Sequence, residues 1–214
     1  METWNKISRK RSYFKKLIMK LLDDPRKPGI LNKKKHLSNY EIGDWTHGQL
    51  KVERGYTGNL KIGKFCSIGI GTIIILGGEH RIDWISTYLF SGYFSQFRPE
   101  NINIINMIRT KGDVVIGNDV WIGEDCYILS GVTIGNGAVI GSRSVIRKNI
   151  PPYSIVVGNP ARVAGYRFNS DIIEKMEKIE WWDWPVEKVI KAIPLLLSDS
   201  IEDFIKKYYV PVKE

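Results

Sequence analysis

Isoleucine recurs at every sixth position along the second half of the chain. Six isoleucines keep this interval without a slip and three earlier ones repeat it, namely Ile62, Ile68, Ile74, Ile116, Ile122, Ile128, Ile134, Ile140 and Ile146. Period six differs from the 3.6-residue period of an amphipathic helix and from the two-residue period of a free-standing strand. It is typical of a coil of short strands joined by tight turns, where glycine tolerates backbone angles that other residues resist.

The positions around each isoleucine also favour stacked coils. Two positions earlier stand mostly small or β-branched residues, namely Leu60, Cys66, Thr72, Val114, Val120, Cys126, Val132, Ala138 and Ser144. Stacked strands lie ~4.8 Å apart, and burying each isoleucine contributes ~1.5–3 kcal/mol before entropic costs. The pattern predicts a mainly β fold, with an ordinary β-sandwich of chance spacing as the alternative. Cys66 and Cys126 share one phase, so we expect small buried side chains and not nucleophiles.

The repeat stops between Ile74 and Ile116. The intervening stretch, 77–112, lacks the pattern and is rich in aromatic residues. A long excursion from a rigid scaffold is where binding groups usually sit. We therefore predict a basic, partly helical N-terminal arm over 1–38, a repeat domain over 39–165 with its excursion loop at 77–112, and a C-terminal helical segment over 166–214.

The end of the repeat is marked by proline. Pro151 and Pro152 interrupt the six-residue interval and predict a cap on the stack. Beyond them, Ser170 or Asp171 is predicted to cap a helix whose apolar face contains Ile172, Ile173, Met176 and Ile179.

Two further helices are predicted after this one. The second begins near Pro185, because proline is favoured in a first turn, and the third follows Ser200, with Asp203 three positions later as in a capping box. We interpret the tryptophans between the helices as packing anchors: Trp181, Trp182 and Trp184.

Composition narrows the class of protein. Hydrophobic residues make up 43% and charged residues 26%, which is typical of a globular chain. No stretch approaches the ~20 apolar residues that span a bilayer, and the short run 17–22 is interrupted by lysine and unlike a signal peptide. Two cysteines exclude a disulfide framework. We expect a cytoplasmic protein.

The net charge of +9 is confined to the N-terminal arm. Residues 1–36 hold twelve Lys and Arg and three acids, and the remainder of the chain is neutral. A neutral body without a known nucleic-acid motif argues against a nucleic-acid partner.

The arm itself has two interpretations. Apolar residues lie at near-helical spacing among its basic ones, namely Trp4, Tyr13, Phe14, Leu17, Ile18, Leu21 and Leu22. A basic amphipathic helix can rest on the inner face of an anionic membrane, which would give peripheral contact through residues 1–22. It can equally dock on the protein through its apolar stripe, which is the interpretation we favour.

The motifs resemble a known family. The runs 116–125 and 156–163, read as IGNDVWIGED and VVGNPARV, resemble the hexapeptide-repeat acyltransferases, and this resemblance implies a left-handed parallel β-helix. The segment 77–84, GGEHRIDW, with 181–185, WWDWP, narrows the resemblance to the xenobiotic acetyltransferase branch. That branch contains streptogramin and type B chloramphenicol acetyltransferases and related capsule or lipopolysaccharide O-acetyltransferases. It implies a homotrimer that uses acetyl-CoA as co-substrate and requires no metal.

The resemblance places the family's catalytic histidine at His80. Acetyl transfer to a hydroxyl needs a base, since an alcohol is a poor nucleophile while it keeps its proton. An imidazole, with an ordinary pKa near 6.5, can take that proton and later deliver it to the departing thiolate. We expect direct attack of the acceptor on the thioester, without an acyl-enzyme.

Acceptor contacts are implied for two further regions. They are Trp45 and His47 before the main repeat and Asp83, Trp84, Tyr88 and Phe90 in the excursion loop. Alternatives stay open: His47 is otherwise structural, and Asp83 is equally a turn residue bonded to nearby backbone. Glu79 and Leu89 replace the family's usual asparagine and proline.

The resemblance also implies where coenzyme A lies, in a groove between subunits. The positions are Trp121, Glu124, Ser142, Arg147, Lys148 and Arg162. Arginine and lysine would meet the phosphates, Trp121 the thiol end and the Ser142 backbone the pantetheine arm. Trp121 is otherwise a subunit-interface residue and Lys148 a solvated turn residue. One position that is basic in the family is Gly165 in this chain, so that contact with coenzyme A is expected only if Arg167 supplies it.

Three function classes follow. The leading one is an acetyl-CoA-dependent O-acetyltransferase, acting on a sugar of a capsular polysaccharide or lipopolysaccharide or, alternatively, on an antibiotic. The second is a β-helical carbonic anhydrase, which needs several histidines converging on zinc, whereas His36, His47 and His80 are scattered. The third is a non-catalytic β-helical scaffold. We favour the sugar, because the usual pocket residues are altered.

Overall fold

A computed structural model of the chain describes residues 30–53, 58–90 and 108–211. The arm up to residue 29, with its predicted helix, lies outside the described residues. From residue 30 the chain enters through two 3-10 turns, Leu31–Lys33 and Lys35–Leu37, whose leucines Leu31 and Leu37 are buried in the core.

Fourteen strands follow within the described residues. They are β1 Glu41–Ile42, β2 His47–Glu53, β3 Leu60–Ile62, β4 Ser67–Ile75, β5 Glu79–His80, β6 Ile108–Arg109, β7 Val114–Ile116, β8 Trp121–Ile122, β9 Tyr127–Ile128, β10 Thr133–Ile134, β11 Val139–Ile140, β12 Val145–Ile146, β13 Ser154–Gly158 and β14 Ala161–Tyr166. Strands that lie one coil apart pair in parallel, as the period of six predicts.

The coils form a three-sided prism, and its register follows the isoleucines. Face A stacks Ile68 on Ile122 and Ile122 on Ile140. Face B stacks the isoleucines 74, 128 and 146, and face C stacks 62, 116 and 134. All nine are buried, as are the residues two positions before them, so the predicted core is confirmed. The protein is a left-handed parallel β-helix.

Three edges join the faces. Edge AB contains residues 69–71, which lie within β4 where it passes from face A to face B, and the turns 123–125 and 141–143. Edge BC contains 75–77, 129–131 and 147–149, and edge CA contains 63–65, 117–119 and 135–137. The third turn position has positive φ at several non-glycine residues, among them Phe65, Asp119 and Arg143. The glycine at the first position is needed for close approach instead: a Cβ at Gly123 would lie 2.6 Å from the Ser142 nitrogen of the next coil.

Both cysteines fill the core, as predicted. Cys66 and Cys126 are free and buried, and the Cys66 thiol lies 3.1 Å from the Gly117 carbonyl oxygen. Burial raises the pKa of Cys66 to about 11, so this thiol stays protonated and is not a nucleophile at neutral pH.

Up to residue 211, the C-terminal segment contains three α-helices, α1 Ser170–Ile179, α2 Val186–Leu196 and α3 Ile201–Tyr208, with a 3-10 turn, Trp181–Asp183, between the first two. The predicted cap of α1 at Ser170 or Asp171 is wrong, because Asn169 precedes the helix and its side chain accepts a hydrogen bond from the Ile172 nitrogen. Pro185 and Ser200 do precede α2 and α3, although the Ser200 side chain makes no cap hydrogen bond.

A second hydrophobic core joins these helices to edge CA. The predicted anchors Trp181 and Trp182 are buried in it with Tyr153 of the last coil. Arg167 lies over the Tyr153 ring and donates hydrogen bonds to Asp119 at 3.0 Å and to the Gly137 carbonyl oxygen at 2.8 Å. Burial raises the pKa of Asp119, with Arg167 acting against the rise. These contacts hold Arg167 at edge CA, away from the basic position that falls at Gly165.

Candidate active site

The excursion loop leaves the prism at edge BC and returns there. Its two ends pair as antiparallel strands, with Glu79 opposite Arg109 and His80 opposite Ile108. The Thr110 hydroxyl donates a hydrogen bond to the Leu76 carbonyl oxygen at 2.8 Å, which fastens the return strand to the edge. Two paired strands therefore fix His80 beside edge BC, while residues 91–107 of the loop lie outside the described part of the chain.

His80 is oriented by the backbone of its own loop. Its Nδ1 lies 2.7 Å from the Thr87 carbonyl oxygen. A carbonyl oxygen only accepts hydrogen bonds, so Nδ1 carries the hydrogen and the neutral ring keeps the lone pair of Nε2 free to accept a proton. The ring is exposed on an open cleft of about 780 Å³, lined by Glu79, His80, Ile82, Arg109, Thr110 and Lys111.

Asp83 is held by two arginines. Arg81 donates two hydrogen bonds to its carboxylate, at 2.9 and 2.6 Å, and Arg109 donates one at 2.9 Å. The hydrogen bonds from Arg81 lower the pKa of Asp83 to about 2. Arg81 also lies over the Trp84 ring, 5.0 Å from its centroid. Asp83 thus ties the segment after His80 to the return strand, and its partners are arginine side chains on both segments.

Glu79 forms a second polar contact at the base of the cleft. Its carboxylate lies 3.3 Å from Lys111 Nζ and accepts a hydrogen bond from the Ser130 hydroxyl at 3.4 Å. Ser130 belongs to edge BC, so Glu79 connects the loop to the prism. The cleft around His80 therefore carries charged groups of both signs.

Tyr88 and Phe90 follow the carbonyl that orients His80. Their rings pack edge to face, with centroids 4.9 Å apart, and both side chains are exposed. The structure thus brings together four of the six predicted acceptor residues on the described part of the loop that carries His80: Asp83, Trp84, Tyr88 and Phe90.

The other two predicted acceptor residues lie elsewhere on the chain. Trp45 stacks on Phe65 at edge CA, with ring centroids 6.4 Å apart. His47 lies on face A, paired with Ser67, and Ser67 pairs in turn with Trp121. Within one chain, the structure does not bring Trp45 or His47 to His80.

Most of the predicted coenzyme A residues cluster around edge AB. Trp121 lies on face A with 58% of its side chain exposed. Ser142 Oγ accepts a hydrogen bond from the Glu124 nitrogen at 3.2 Å, one coil below it on the edge. Arg162 lies on β14, opposite Val157 of β13, and is exposed.

The remaining two lie on the other side of face B. Arg147 and Lys148 are exposed on edge BC, the edge that carries His80. Face B, with outward residues Tyr127 and Val145, separates this group from Trp121, Glu124 and Ser142. One chain therefore presents the two halves of the predicted site on two different edges of the prism.

Three residues of the site, Thr87, Arg81 and Arg109, were not predicted from the sequence. Thr87 acts through its backbone carbonyl, which carries no side-chain signal. Arg81 and Arg109 are 28 positions apart and meet at Asp83 because β5 pairs with β6. The opposite charges of Arg81 and Asp83, which follow His80 closely in the sequence, were the one signal from which a local ion pair could have been predicted.

The described residues contain neither a metal cluster nor a membrane span. Across 30–53, 58–90 and 108–211, no group of three or more His, Cys, Asp and Glu side chains could hold a metal ion. No helix in the same ranges is long and apolar enough to cross a membrane.

Comparisons with known proteins agree with this architecture. A family model for the bacterial transferase hexapeptide (six repeats) matches residues 113–148. A chloramphenicol acetyltransferase of Morganella morganii is 37% identical over 84% of this chain and 92% of its own length. One from Agrobacterium fabrum is 46% identical, over 66% and 68%. The virginiamycin A acetyltransferase of Staphylococcus aureus is 41% identical, over 69% and 67%.

The stacked hexads, the excursion loop and these relatives define the class. The chain belongs to the hexapeptide-repeat acyltransferases. Within that class it belongs to the xenobiotic acetyltransferase branch, with the chloramphenicol and virginiamycin acetyltransferases, and it is an acetyltransferase.

Proposed function

We propose that the protein is an acetyl-CoA-dependent O-acetyltransferase in which His80 is the general base. The observation that carries this proposal is the hydrogen bond from His80 Nδ1 to the Thr87 carbonyl oxygen, at 2.7 Å. In the neutral ring this bond leaves the Nε2 lone pair free on a side chain that is exposed to the cleft, where an acceptor hydroxyl can reach it.

The transfer proceeds by direct attack. The acceptor oxygen bonds to the thioester carbonyl carbon while His80 Nε2 takes the hydroxyl proton. The tetrahedral intermediate collapses with cleavage of the carbon–sulfur bond, and the imidazolium returns the proton to the departing thiolate. The products are an acetyl ester and coenzyme A, and the chain ends in its starting protonation state.

The donor groove is completed by a second copy of the chain. Edge AB of one copy, with Trp121, Glu124 and Ser142, would face edge BC of another, with His80 and Lys148. Closed cyclic symmetry generates such a contact at every interface, and a homotrimer suits a three-sided prism. Arg147, Lys148 and Arg162 would supply positive charge for the phosphates, since guanidinium groups bind phosphate oxygens bidentately.

The proposed acceptor is a sugar hydroxyl of a capsular polysaccharide or lipopolysaccharide. The lining of the cleft supports it, because Glu79, Arg109 and Lys111 offer charged hydrogen-bonding groups around His80. Such polar side chains can hydrogen-bond to a sugar, which carries many hydroxyls, and so orient it. An apolar ligand would leave these side chains without hydrogen-bond partners and would bind less well.

An antibiotic is the second candidate acceptor. The relatives favour it, since those with 37%, 46% and 41% identity are named chloramphenicol and virginiamycin A acetyltransferases. Against an antibiotic acceptor stand Glu79 and Leu89, which replace the family's usual asparagine and proline in the loop.

Thiol release from acetyl-CoA tests the reaction and the base together. His80→Gln should lower kcat by ~10²–10⁴-fold, because general-base catalysis contributes that much, while its circular dichroism stays that of the wild type. His36→Gln is the matched control, since His36 is exposed on the 3-10 turn Lys35–Leu37 and is not part of the loop that carries His80, and it should keep kcat. Near-normal turnover of His80→Gln would remove His80 from the mechanism.

Acceptor identity needs a separate screen. Labelled acetyl-CoA is offered with chloramphenicol, a streptogramin A and capsular or lipopolysaccharide oligosaccharides, and the new ester is located by mass spectrometry. We expect the highest kcat/KM with an oligosaccharide. A higher kcat/KM with an antibiotic would show that the acceptor is an antibiotic and not a sugar, and it would leave the proposed reaction type unchanged.

A further inference from the structure

One face of α2 is apolar and turned to solvent. Val186, Ile190 and Ile193 recur at helical spacing along α2, and Leu197 follows at the same spacing just past its last residue; we call these four residues the α2 stripe. Val186 is 40%, Ile193 39% and Leu197 83% exposed. The buried side of α2 is a different one, where Val189 and Ala192 lie. Ile190 of the stripe is half-buried, so the exposed apolar surface consists of Val186, Ile193 and Leu197.

Acidic residues flank the α2 stripe in the sequence. Glu187 follows Val186, Asp199 comes two residues after Leu197, and Glu202 and Asp203 stand in the first turn of α3; all of them are exposed. Of the two lysines of α2, Lys188 lies over the Trp184 ring, 3.7 Å from its centroid, and Lys191 is exposed. An apolar stripe flanked by carboxylates suits an apolar segment flanked by cations.

A series of contacts connects the point where the arm enters the described structure to the start of α2. Leu31 donates a backbone hydrogen bond to the Thr46 carbonyl oxygen at 2.9 Å, and the neighbouring Trp45 stacks on Phe65. Phe65 contacts Trp181 with ring centroids 4.9 Å apart. Trp181 belongs to the turn Trp181–Asp183 that leads into α2, so a short series of contacts connects the arm to this helix.

The length and pattern of the arm fit the α2 stripe. Its apolar residues over 13–22 lie at helical spacing among basic ones, and as a helix these ten residues would span ~15 Å. The eleven residues of α2 span nearly the same length, ~16 Å. The seven residues 23–29 that join this segment to Ile30 can reach ~23 Å when extended.

We propose that the α2 stripe is the docking surface for residues 13–22 of the arm. The segment's apolar side chains, namely Phe14, Leu17, Ile18, Leu21 and Leu22, cover the stripe. Lys15, Lys16 and Lys20 then face the flanking acidic residues Glu187 and Asp199. Apolar burial holds the segment, and the opposite charges fix which way it lies.

Hydrogen–deuterium exchange of the full-length chain tests this docking. Leu197→Lys places a cation in the stripe at an 83% exposed position, so it repels the arm without disturbing the core. Val210→Lys is the matched control, because Val210 is 80% exposed and lies beyond α3, outside the stripe. Peptides over 13–22 and 186–197 are followed in the wild type and in both variants.

The wild type and Val210→Lys should show amides of 13–22 that exchange ~10-fold or more slowly than in Leu197→Lys, because a docked helix exchanges only when it opens. Equal exchange of 13–22 in all three chains would overturn the proposal. So would protection of 13–22 that appears only when anionic vesicles of phosphatidylserine are added, which would assign the segment to a membrane. Deletion of 2–22 that leaves 186–197 protected would assign the stripe to a second copy of the chain.

Discussion

At the scale of single residues, the loop beside edge BC contains two acid–base groups with different tasks. His80 donates through Nδ1 to a carbonyl oxygen and keeps Nε2 free. Asp83 is engaged by Arg81 and Arg109, and the hydrogen bonds from Arg81 lower its pKa to about 2. The histidine is therefore oriented with Nε2 available to an acceptor hydroxyl, and the aspartate is held as a carboxylate by its two arginines.

Asp83→Asn tests this division of tasks. Because the pKa of Asp83 is lowered to about 2, its carboxylate stays ionised until the pH falls towards 2, whereas an unfolded aspartate is protonated at about pH 3.9. The stability that the ionised carboxylate contributes is therefore present above about pH 3.9 and is lost as the pH falls towards 2. From about pH 5 to about pH 9 its charge is constant, so Asp83→Asn should lower kcat/KM by a similar factor throughout, about 2- to 5-fold for a lost exposed ion pair.

The shape of the pH–rate profile decides the outcome. Asp83→Asn should keep the shape of the wild-type pH–rate profile, because the Asp83 carboxylate does not change its charge over this range. Asp199→Asn, an exposed aspartate away from the loop, is the control. An acidic limb that disappears in Asp83→Asn would show that Asp83 is the titrating base and His80 is not.

Close approach of neighbouring coils can be tested at a single glycine. A Cβ at Gly123 would lie 2.6 Å from both the nitrogen and Oγ of Ser142, so Gly123→Ala should lower the free energy of unfolding by ~1–3 kcal/mol. Gly165→Ala is the control, because nothing lies within 4 Å of its Cβ, and it should stay within ~0.5 kcal/mol. Urea unfolding at one protein concentration measures both, and equal midpoints would contradict the close contact.

At the scale of elements, the helices show where prediction from the sequence ends. The six-residue interval predicts all nine buried isoleucines, because stacking repeats one environment in every coil. The cap of α1 has no such repetition to reveal it. Asn169, Ser170 and Asp171 are all good capping residues, and only the backbone conformation at Asn169, extended with φ of −70° and ψ of 166°, selects among them.

The cap gives a prediction of its own. The Asn169 side-chain oxygen accepts a hydrogen bond from the Ile172 nitrogen at 2.9 Å, so Asn169→Ala should lower the free energy of unfolding by about 1 kcal/mol. Ser170→Ala is the matched control and should change it by less than ~0.5 kcal/mol. Thermal unfolding followed by circular dichroism compares the two, and a larger loss in Ser170→Ala would restore the cap that the sequence predicted.

At the scale of the whole molecule, the site depends on which edge each residue occupies. The interval of six locates residues along a face, and three faces make a period of 18, so Glu124 and Ser142 share an edge. This arithmetic stops at the excursion loop, because residues 77–112 do not follow it. The loop's return to edge BC, which places His80 across face B from Trp121, follows from the pairing of β5 with β6 and was not predictable from spacing.

A site shared between two copies makes mixed assemblies informative. His80→Ala removes the base at edge BC, and Ser142→Trp fills the proposed donor groove at edge AB, where Ser142 is exposed. Each variant assembly should be inactive by itself, with ~10²-fold or greater loss of thiol release. In an equal mixture that is unfolded, refolded together and matched in oligomer mass, some interfaces combine an intact edge BC with an intact edge AB.

The rate of acetyl-CoA thiol release by this mixed assembly is the most direct test of the account. If each site takes His80 from one copy and Ser142 from the next, about one site in four is intact, and the mixture should recover about a quarter of the wild-type rate. A mixture as inactive as its two parents would contradict the account, because it would place His80 and the donor groove on the same chain.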